Sequence, residues 1–189
     1  MNNKRLIGSL SFSVGALVLA AAFPPQAIGD QGQSAARQKQ HAGELVRIVR
    51  ESTRRFHDVN QAMAEGYQLA FGCVSGPDDG AMGLHYVNMA LVGDGVLDPR
   101  RPEIVIYEPL PNGGRRLIGA DFLVFVDAWH ATNAGTPELG GQLLHLFESP
   151  NRFGLPAFYT LHVWAWKPNP TGAFVNWHSD VSCEQFDGK

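Results

Sequence analysis

The stretch EIVIYEPLPNGGRRLIGADFLVFVDAW, Glu103–Trp129, decides the fold because it predicts a β-hairpin. Two runs rich in β-branched and aromatic residues, EIVIYEPL and LIGADFLVFVDAW, flank the short segment PNGGRR. An Asn-Gly pair between two such runs is the strongest short-range signal for a hairpin turn. Strands joined by so short a turn pair antiparallel, so the sequence predicts an antiparallel sheet here.

Two further stretches, LHYVNMALV (84–92) and AFYTLHVWAWK (157–167), also predict strands. The segment CVSGPDDGAMG (73–83) is typical of a turn-rich loop, and TPELGGQLLHLFESP (136–150) predicts a short helix or an irregular segment. Each strand joins the next through a short loop, which favours a curved antiparallel sheet within residues 67–189.

Residues 30–66 carry helical patterns. Apolar residues recur at helical spacing through this segment, with a break near the sequence STRR and a stop signal at Gly66. Because an amphipathic helix needs an apolar partner, we expect these helices to pack on the sheet. The sequence therefore predicts an α+β fold in which helices and sheet form one compact domain.

Residues 1–29 have the layout of a secretory signal peptide: a basic MNNKR start, the apolar stretch LIGSLSFSVGALVLAAAF, and small residues near PPQAIGD. Cleavage after Ala22 or Gly29 fits this layout. The alternative is an uncleaved membrane anchor, because the apolar stretch is just long enough to span a bilayer. We expect cleavage and a secreted or periplasmic protein with no stable membrane span, since no Lys or Arg cluster follows closely downstream.

The charge of the chain argues against nucleic acid as a partner. The sequence has 15 Lys and Arg against 18 Asp and Glu, a net charge of −3, and loss of Lys4 and Arg5 with the signal leaves −5. No basic stripe is present, so nucleic-acid binding is disfavoured. The two cysteines, Cys73 and Cys183, most simply form a disulfide in an exported protein. A thiol nucleophile or a metal ligand is the alternative.

Three predicted strands each place one titratable side chain on a mostly apolar face. Side chains alternate along a strand, so His85 shares a face with Val87, and His162 shares one with Phe158. Asp121 occupies the same kind of position, and His145 has apolar neighbours in GQLLHLF. Buried polar groups without partners are costly, so these groups should find one another, a backbone partner, water or a metal.

This pattern leaves two interpretations open. His85, His145 and His162, with Asp121, could form a site for zinc or copper, which imidazole ligands suit. Alternatively, the histidines are core residues bonded to backbone carbonyls or acids. No HExxH, HxH or CxxC motif fixes two ligands at once, and no nucleophile elbow, phosphate loop or dinucleotide fingerprint appears. The sequence therefore leaves open whether the protein is an enzyme.

Two long motifs resemble a group of exported bacterial proteins of unassigned function. They are GCVSGPDDGAMGLHYVNMALVGDGVLDPRRPEIVIYEP and SPNRFGLPAFYTLHVWAWKPNPTGAFVNWHSDVSC, and the resemblance covers residues 67–183. It implies a secreted or envelope protein with one compact domain. The group often has Asn where this chain has His178, which makes His178 a poorer ligand candidate than His85 or His162.

Three functional hypotheses follow. The first is an exported protein that binds zinc or copper through His85, His145 and His162, with Asp121 as a carboxylate ligand. The second is a non-enzymatic module that binds a small apolar molecule in a cavity lined by aromatic residues and methionine. The third is a structural or interaction protein of the cell envelope, which would have a broad exposed apolar patch rather than a pocket.

Overall fold

The computed structural model describes residues 28–76 and 78–188. The first described element is helix α1 (Ile28–Thr53), which a short 3-10 helix (Arg54–His57) separates from helix α2 (Val59–Ala64). Gly66 follows with φ 97°, the left-handed conformation that commonly ends a helix. The predicted signal peptide, residues 1–29, lies outside the described residues except for its last two positions.

The remaining described residues form strands and short helices. In chain order these are β1 (Gln68–Ser75), β2 (Ala81–Val87), α3 (Met89–Val92), β3 (Ile104–Pro109), β4 (Arg115–Phe125), α4 (Val126–His130), β5 (Glu138–Leu139), β6 (Gln142–Leu143), β7 (His145–Phe147) and β8 (Phe158–Val163). Six strands form one curled antiparallel sheet in the order β1-β2-β3-β4-β8-β7, while β5 and β6 pair separately. The predicted α+β fold, with a curved antiparallel sheet and N-terminal helical packing, is confirmed.

Several local predictions were wrong. Strand β1, Gln68–Ser75, was not predicted. The expected loop, residues 73–83, contains the end of β1 and the start of β2, and an irregularity at Phe71 and Gly72 interrupts β1. The segment expected to be a short helix or irregular contains β5, β6 and β7 instead. A Gly140-Gly141 turn with both φ values positive joins β5 to β6, which is the backbone conformation that tight hairpins require.

Two predicted strands end earlier than expected, each in a helical turn. Strand β2 stops at Val87, and the Asn88 side chain then accepts a hydrogen bond from the backbone N–H of Ala90 to cap α3. Strand β4 stops at Phe125, and α4 follows. The Asn88 cap favours the start of α3 even after a strongly β-like run, whereas α4 begins without a side-chain cap.

The two faces of the sheet are covered differently. Helix α1 packs Leu45 and Val49 on one face, against a cluster that includes Phe122 and Leu161. The opposite face is covered by loops and the C-terminal tail, whose apolar residues join Ile104, Ile106 and Leu123 in a second cluster with Phe158, Trp164 and Val181. The alternation of strand residues therefore sends one set of side chains to the helix and the other set beneath the loops.

A disulfide joins Cys73 in β1 to Cys183 in the tail, with the two Cα atoms 5.7 Å apart. The predicted pairing is confirmed. The bridge holds the tail against the first strand, and His178 reinforces this contact through a β-bridge to Ala81. Within residues 28–76 and 78–188, no helix has both the length and the apolar character needed to cross a membrane.

Candidate metal centre

Three strands bring His85, Asp121 and His162 together on the loop-covered face of the sheet. Asp121 in β4 and His162 in β8 are direct cross-strand partners, so their side chains leave the sheet on the same side. His85 lies on β2, and strand β3 separates it from β4. The ring of His85 nevertheless approaches that of His162, with 5.7 Å between their centroids, because the sheet curls.

These three residues, called the His/Asp cluster below, are within ligand-sharing distance of one another. One potential ligand atom from each lies within 4.8 Å of those of the other two. Nδ1 of His162 lies 3.7 Å from Oδ1 of Asp121. All three side chains are buried, with at most 5% of each residue exposed. Two ligand atoms of one zinc ion lie about 3.3 Å apart when each bond is about 2.0–2.1 Å, so binding of zinc would bring these atoms closer by up to about 1.5 Å.

The protonation of His85 is set by its neighbour Gly83. Nδ1 of His85 lies 3.1 Å from the carbonyl oxygen of Gly83, and a carbonyl can only accept, so Nδ1 carries the proton. Burial lowers the pKa of His85 to about 4, and the ring is therefore neutral at pH 7. A neutral ring protonated on Nδ1 leaves the Nε2 lone pair available to a metal.

Gly83 is required for this arrangement. Its backbone has φ 92° inside strand β2, a conformation that residues with a Cβ rarely adopt. A Cβ at this position would also lie only 2.6 Å from the carbonyl oxygen of Tyr107. The sequence GAMGLHY therefore contains a glycine that fixes the carbonyl acceptor for His85.

His162 is buried and poorly hydrogen-bonded. Among the described residues neither ring nitrogen has a partner with good hydrogen-bond geometry, although the side chain of Asn176 interacts with the ring closely enough to raise its pKa. Burial is the larger effect and lowers the pKa of His162 to about 3, so the ring is neutral at pH 7. Trp164 stacks near the ring, with centroids 5.9 Å apart. A buried imidazole with two unpaired nitrogens is costly unless something binds it.

Asp121 supplies the negative charge of the cluster. Burial raises its pKa to about 6, while a hydrogen bond from Thr160 is the main opposing influence. The Thr160 hydroxyl donates to Oδ1 over 2.6 Å and orients the carboxylate. At pH 7 the His/Asp cluster therefore holds one anionic and two neutral groups, which are the protonation states that metal ligation requires.

The fourth predicted ligand, His145, lies beside the His/Asp cluster but not within it. Strand β7 pairs with β8 so that His145 is opposite Thr160, and its side chain is exposed at the edge of the sheet. It is close enough that its charge lowers the pKa values of Asp121 and His162. His178 is buried elsewhere, where its Nδ1 accepts a hydrogen bond from the backbone of Asp180.

A buried carboxyl near the cluster was not expected from the sequence, which favours a solvated position for Glu103. The residue is 1% exposed, and its Oε2 accepts a hydrogen bond from the backbone N–H of Leu123. Burial raises the pKa of Glu103 to about 8. The sequence indicates the burial of Glu103 only through its position directly before Ile104, the cross-strand partner of Asp121. That signal can be used only when the strand register is known.

A small cavity adjoins the His/Asp cluster. It has a volume of about 30 Å³, and the three cluster residues form its polar part together with Thr160. The rest of the lining is apolar: Phe71, Met82, Ile104, Leu123, Phe147, Phe153, Leu155 and Phe158. A buried water needs roughly 10–15 Å³ of such space, so the cavity has room for one or two waters or for a metal ion.

Comparisons with protein-family models, curated protein sequences and solved structures found no match.

Proposed function

We propose that this protein is an exported metal-binding domain in which His85, Asp121 and His162 hold one transition-metal ion. The observation that carries the proposal is the buried His162 ring, whose nitrogens have no hydrogen-bond partner with good geometry among the described residues and which faces a buried carboxylate. A metal ion would give this ring a partner and would neutralise the charge of Asp121. Both effects offset desolvation that the hydrogen bond from Thr160 compensates only in part.

The donor set supports zinc first and copper second. Two imidazoles and one carboxylate are ligands found in zinc sites, and three protein ligands leave a fourth position open. The thioether of Met82 lines the same cavity, and thioethers favour copper. A metal with an open position polarises a bound group or activates a bound water. The cavity on the apolar side of the His/Asp cluster is where such a group would sit.

The location of the protein is part of the proposal. The disulfide is compatible with an oxidising compartment, where such bonds persist. The predicted signal peptide and the resemblance to exported bacterial proteins support the same location. Detecting the mature N-terminus by mass spectrometry of secreted and periplasmic fractions tests this part independently of the metal.

The metal proposal is tested by metal content and by thermal stability. We expect about one equivalent of zinc or copper in protein purified from its native compartment without chelators. In titrations with each metal, a hundredfold excess over the dissociation constant should stabilise the fold by about 3 kcal/mol. This corresponds to a rise in Tm of roughly 5–10 °C for a domain of this size.

Matched histidine variants locate the site. His162→Ala should abolish stoichiometric binding, whereas His41→Ala, on the exposed surface of α1, should leave it unchanged. His145→Ala decides whether the exposed neighbour contributes, because a loss of affinity in that variant would add it to the ligand set. Wild-type protein that binds neither metal stoichiometrically, despite a folded state and an intact disulfide, would refute the proposal.

A further inference from the structure

The walls of the cavity are apolar, in contrast to the polar part that the His/Asp cluster and Thr160 form. Four of its lining residues, Phe71, Phe147, Phe153 and Phe158, form what we call the phenylalanine cluster. Phe147 stacks on Phe158 at a centroid distance of 5.1 Å, and Phe153 packs edge-on against both. Among the described residues that line the cavity, Asp121 alone carries a charge at pH 7. Any molecule that fills the cavity beside the metal is therefore surrounded mainly by hydrocarbon.

A loop between β7 and β8, residues 148–157, forms one wall and is called the roof loop below. Asn151 organises it, because its amide group donates to the carbonyls of Glu148 and Leu155. Its side-chain oxygen also accepts from the backbone N–H groups of Phe153 and Leu155, the two residues of the loop that line the cavity. The roof loop thus presents its apolar residues in a fixed arrangement over the His/Asp cluster.

The roof loop reaches across the sheet to strand β1. Arg152 donates a hydrogen bond to the carbonyl of Ser75 over 3.3 Å on the exposed surface. Phe153 contacts Phe71 edge-on, with 5.3 Å between ring centroids. These two contacts narrow the cavity on the β1 side, and a ligand larger than one or two waters would have to displace them to extend in that direction.

Phe71 marks the opening of the cavity. It is 42% exposed, yet its ring also lines the cavity, so it stands between the solvent and the interior. Its backbone has φ 64°, in the left-handed region that a bulky residue rarely adopts. The irregularity in β1 between Ala70 and Cys73 produces this conformation. Strain of this kind is concentrated at functional sites.

We infer that the ligand of this site is a small molecule with an apolar body of a few carbons and one small donor group. Its donor group occupies the open position of the metal. Because the cavity has room for only one or two waters, its body extends outward from the cavity between Phe71 and Phe153, and these two rings separate to admit it. The inference rests on the proposed metal function for the donor group only. The apolar body is argued independently, from the lining of the cavity.

A series of primary alcohols from methanol to 1-hexanol tests the inference on the zinc-loaded full-length mature protein. Affinity measured by calorimetry should increase by about fourfold for each added methylene, until the chain reaches past the Phe71 ring into solvent. 1,4-Butanediol should bind at least fivefold more weakly than 1-butanol, because its second hydroxyl would be buried without a partner. Metal-free protein should show the same dependence on chain length with weaker binding throughout.

Two variants connect the result to the phenylalanine cluster. Phe71→Gly suits the left-handed backbone and removes the ring, so it should fold normally and weaken 1-hexanol binding at least fivefold with little effect on methanol. Leu143→Ala is the control, because it removes another exposed apolar side chain, from β6. Unchanged 1-hexanol affinity in the Phe71 variant would overturn the proposed route.

The outcomes separate this inference from the metal proposal. Stoichiometric zinc with equal affinities for all the alcohols would overturn the apolar ligand and leave the metal site standing. A clear dependence on chain length without zinc binding would support the apolar body and overturn the metal function. Neither zinc binding nor a dependence on chain length would overturn both.

Discussion

Replacement of Asp121 by Asn should stabilise the metal-free protein at neutral pH, although it removes a buried hydrogen-bonded carboxylate. The side chains have the same shape, and the amide oxygen can still accept the hydrogen bond from Thr160. The amide would carry no charge, however, and the folded protein would no longer hold a buried anion without a counterion. Substitution of a buried polar residue usually destabilises a protein, whereas this one should stabilise it.

The magnitude follows from the pKa of Asp121. Burial raises that pKa from 3.8 to about 6, so the folded state holds the proton more tightly than the unfolded state. At about 1.4 kcal/mol per pH unit, the wild-type protein loses roughly 3 kcal/mol as pH rises from below 4 to above 6. The Asp121→Asn variant lacks this loss, so it should be more stable by roughly 3 kcal/mol at pH 7.5.

The assay is guanidinium unfolding of both proteins in EDTA at several pH values between 4 and 7.5. The difference between the proteins should shrink towards pH 4, because Asp121 is then protonated in the folded chain and increasingly protonated in the unfolded one. Asp127→Asn, at an exposed position in α4, is the matched control and should change stability little. With saturating zinc the order should reverse, because the wild-type protein alone has the carboxylate ligand. A variant less stable than wild type in EDTA at pH 7.5 would refute this reasoning.

Three further predictions concern the surrounding structure. The double variant Cys73→Ala/Cys183→Ala should lose up to about 5 kcal/mol in denaturant unfolding, because the bridge spans 110 positions; a loss under 1 kcal/mol would contradict the chain-entropy argument. Gly83→Ala should lower thermal stability and zinc affinity together, since its Cβ meets the Tyr107 carbonyl; retained zinc affinity would show that Gly83 does not position His85. The wild-type protein should lose stability as pH rises from 4.5 to about 8, because the Glu103 carboxyl ionises in the unfolded chain over that range while its raised pKa keeps it protonated in the folded one. Glu103→Gln should remove this loss. Identical dependences of stability on pH in the two proteins would disprove the prediction.

The hairpin of β3 and β4 could be predicted because its signals are local. The Asn-Gly pair and the flanking β-branched runs need no knowledge of the rest of the chain. Strand β1 was missed for the opposite reason. Its bulge at Phe71 and Gly72 breaks the alternation that identifies a strand, and its stability comes from pairing with β2.

The sequence could predict which residues form the His/Asp cluster, but it could not predict how they are arranged. Alternation placed His85, Asp121 and His162 on apolar strand faces, and the structure brings these three together. His145 could not be separated from them, because the sequence does not reveal that β7 is an edge strand. The burial of Glu103 was equally hidden, since its partner is a backbone N–H of another strand. Strand order and register are non-local properties, and both decide which polar residues meet.

The bridge between Cys73 and Cys183 has a consequence for when the metal can be acquired. The disulfide holds the C-terminal tail in place. The tail carries Asn176, which lies beside His162, and it pairs with β2, the strand that contains His85. A newly made chain with free thiols lacks this fastening and should bind metal weakly. Metal binding would then follow formation of the disulfide, so the reduced chain would be exported without a metal ion and would bind one only in the oxidising compartment.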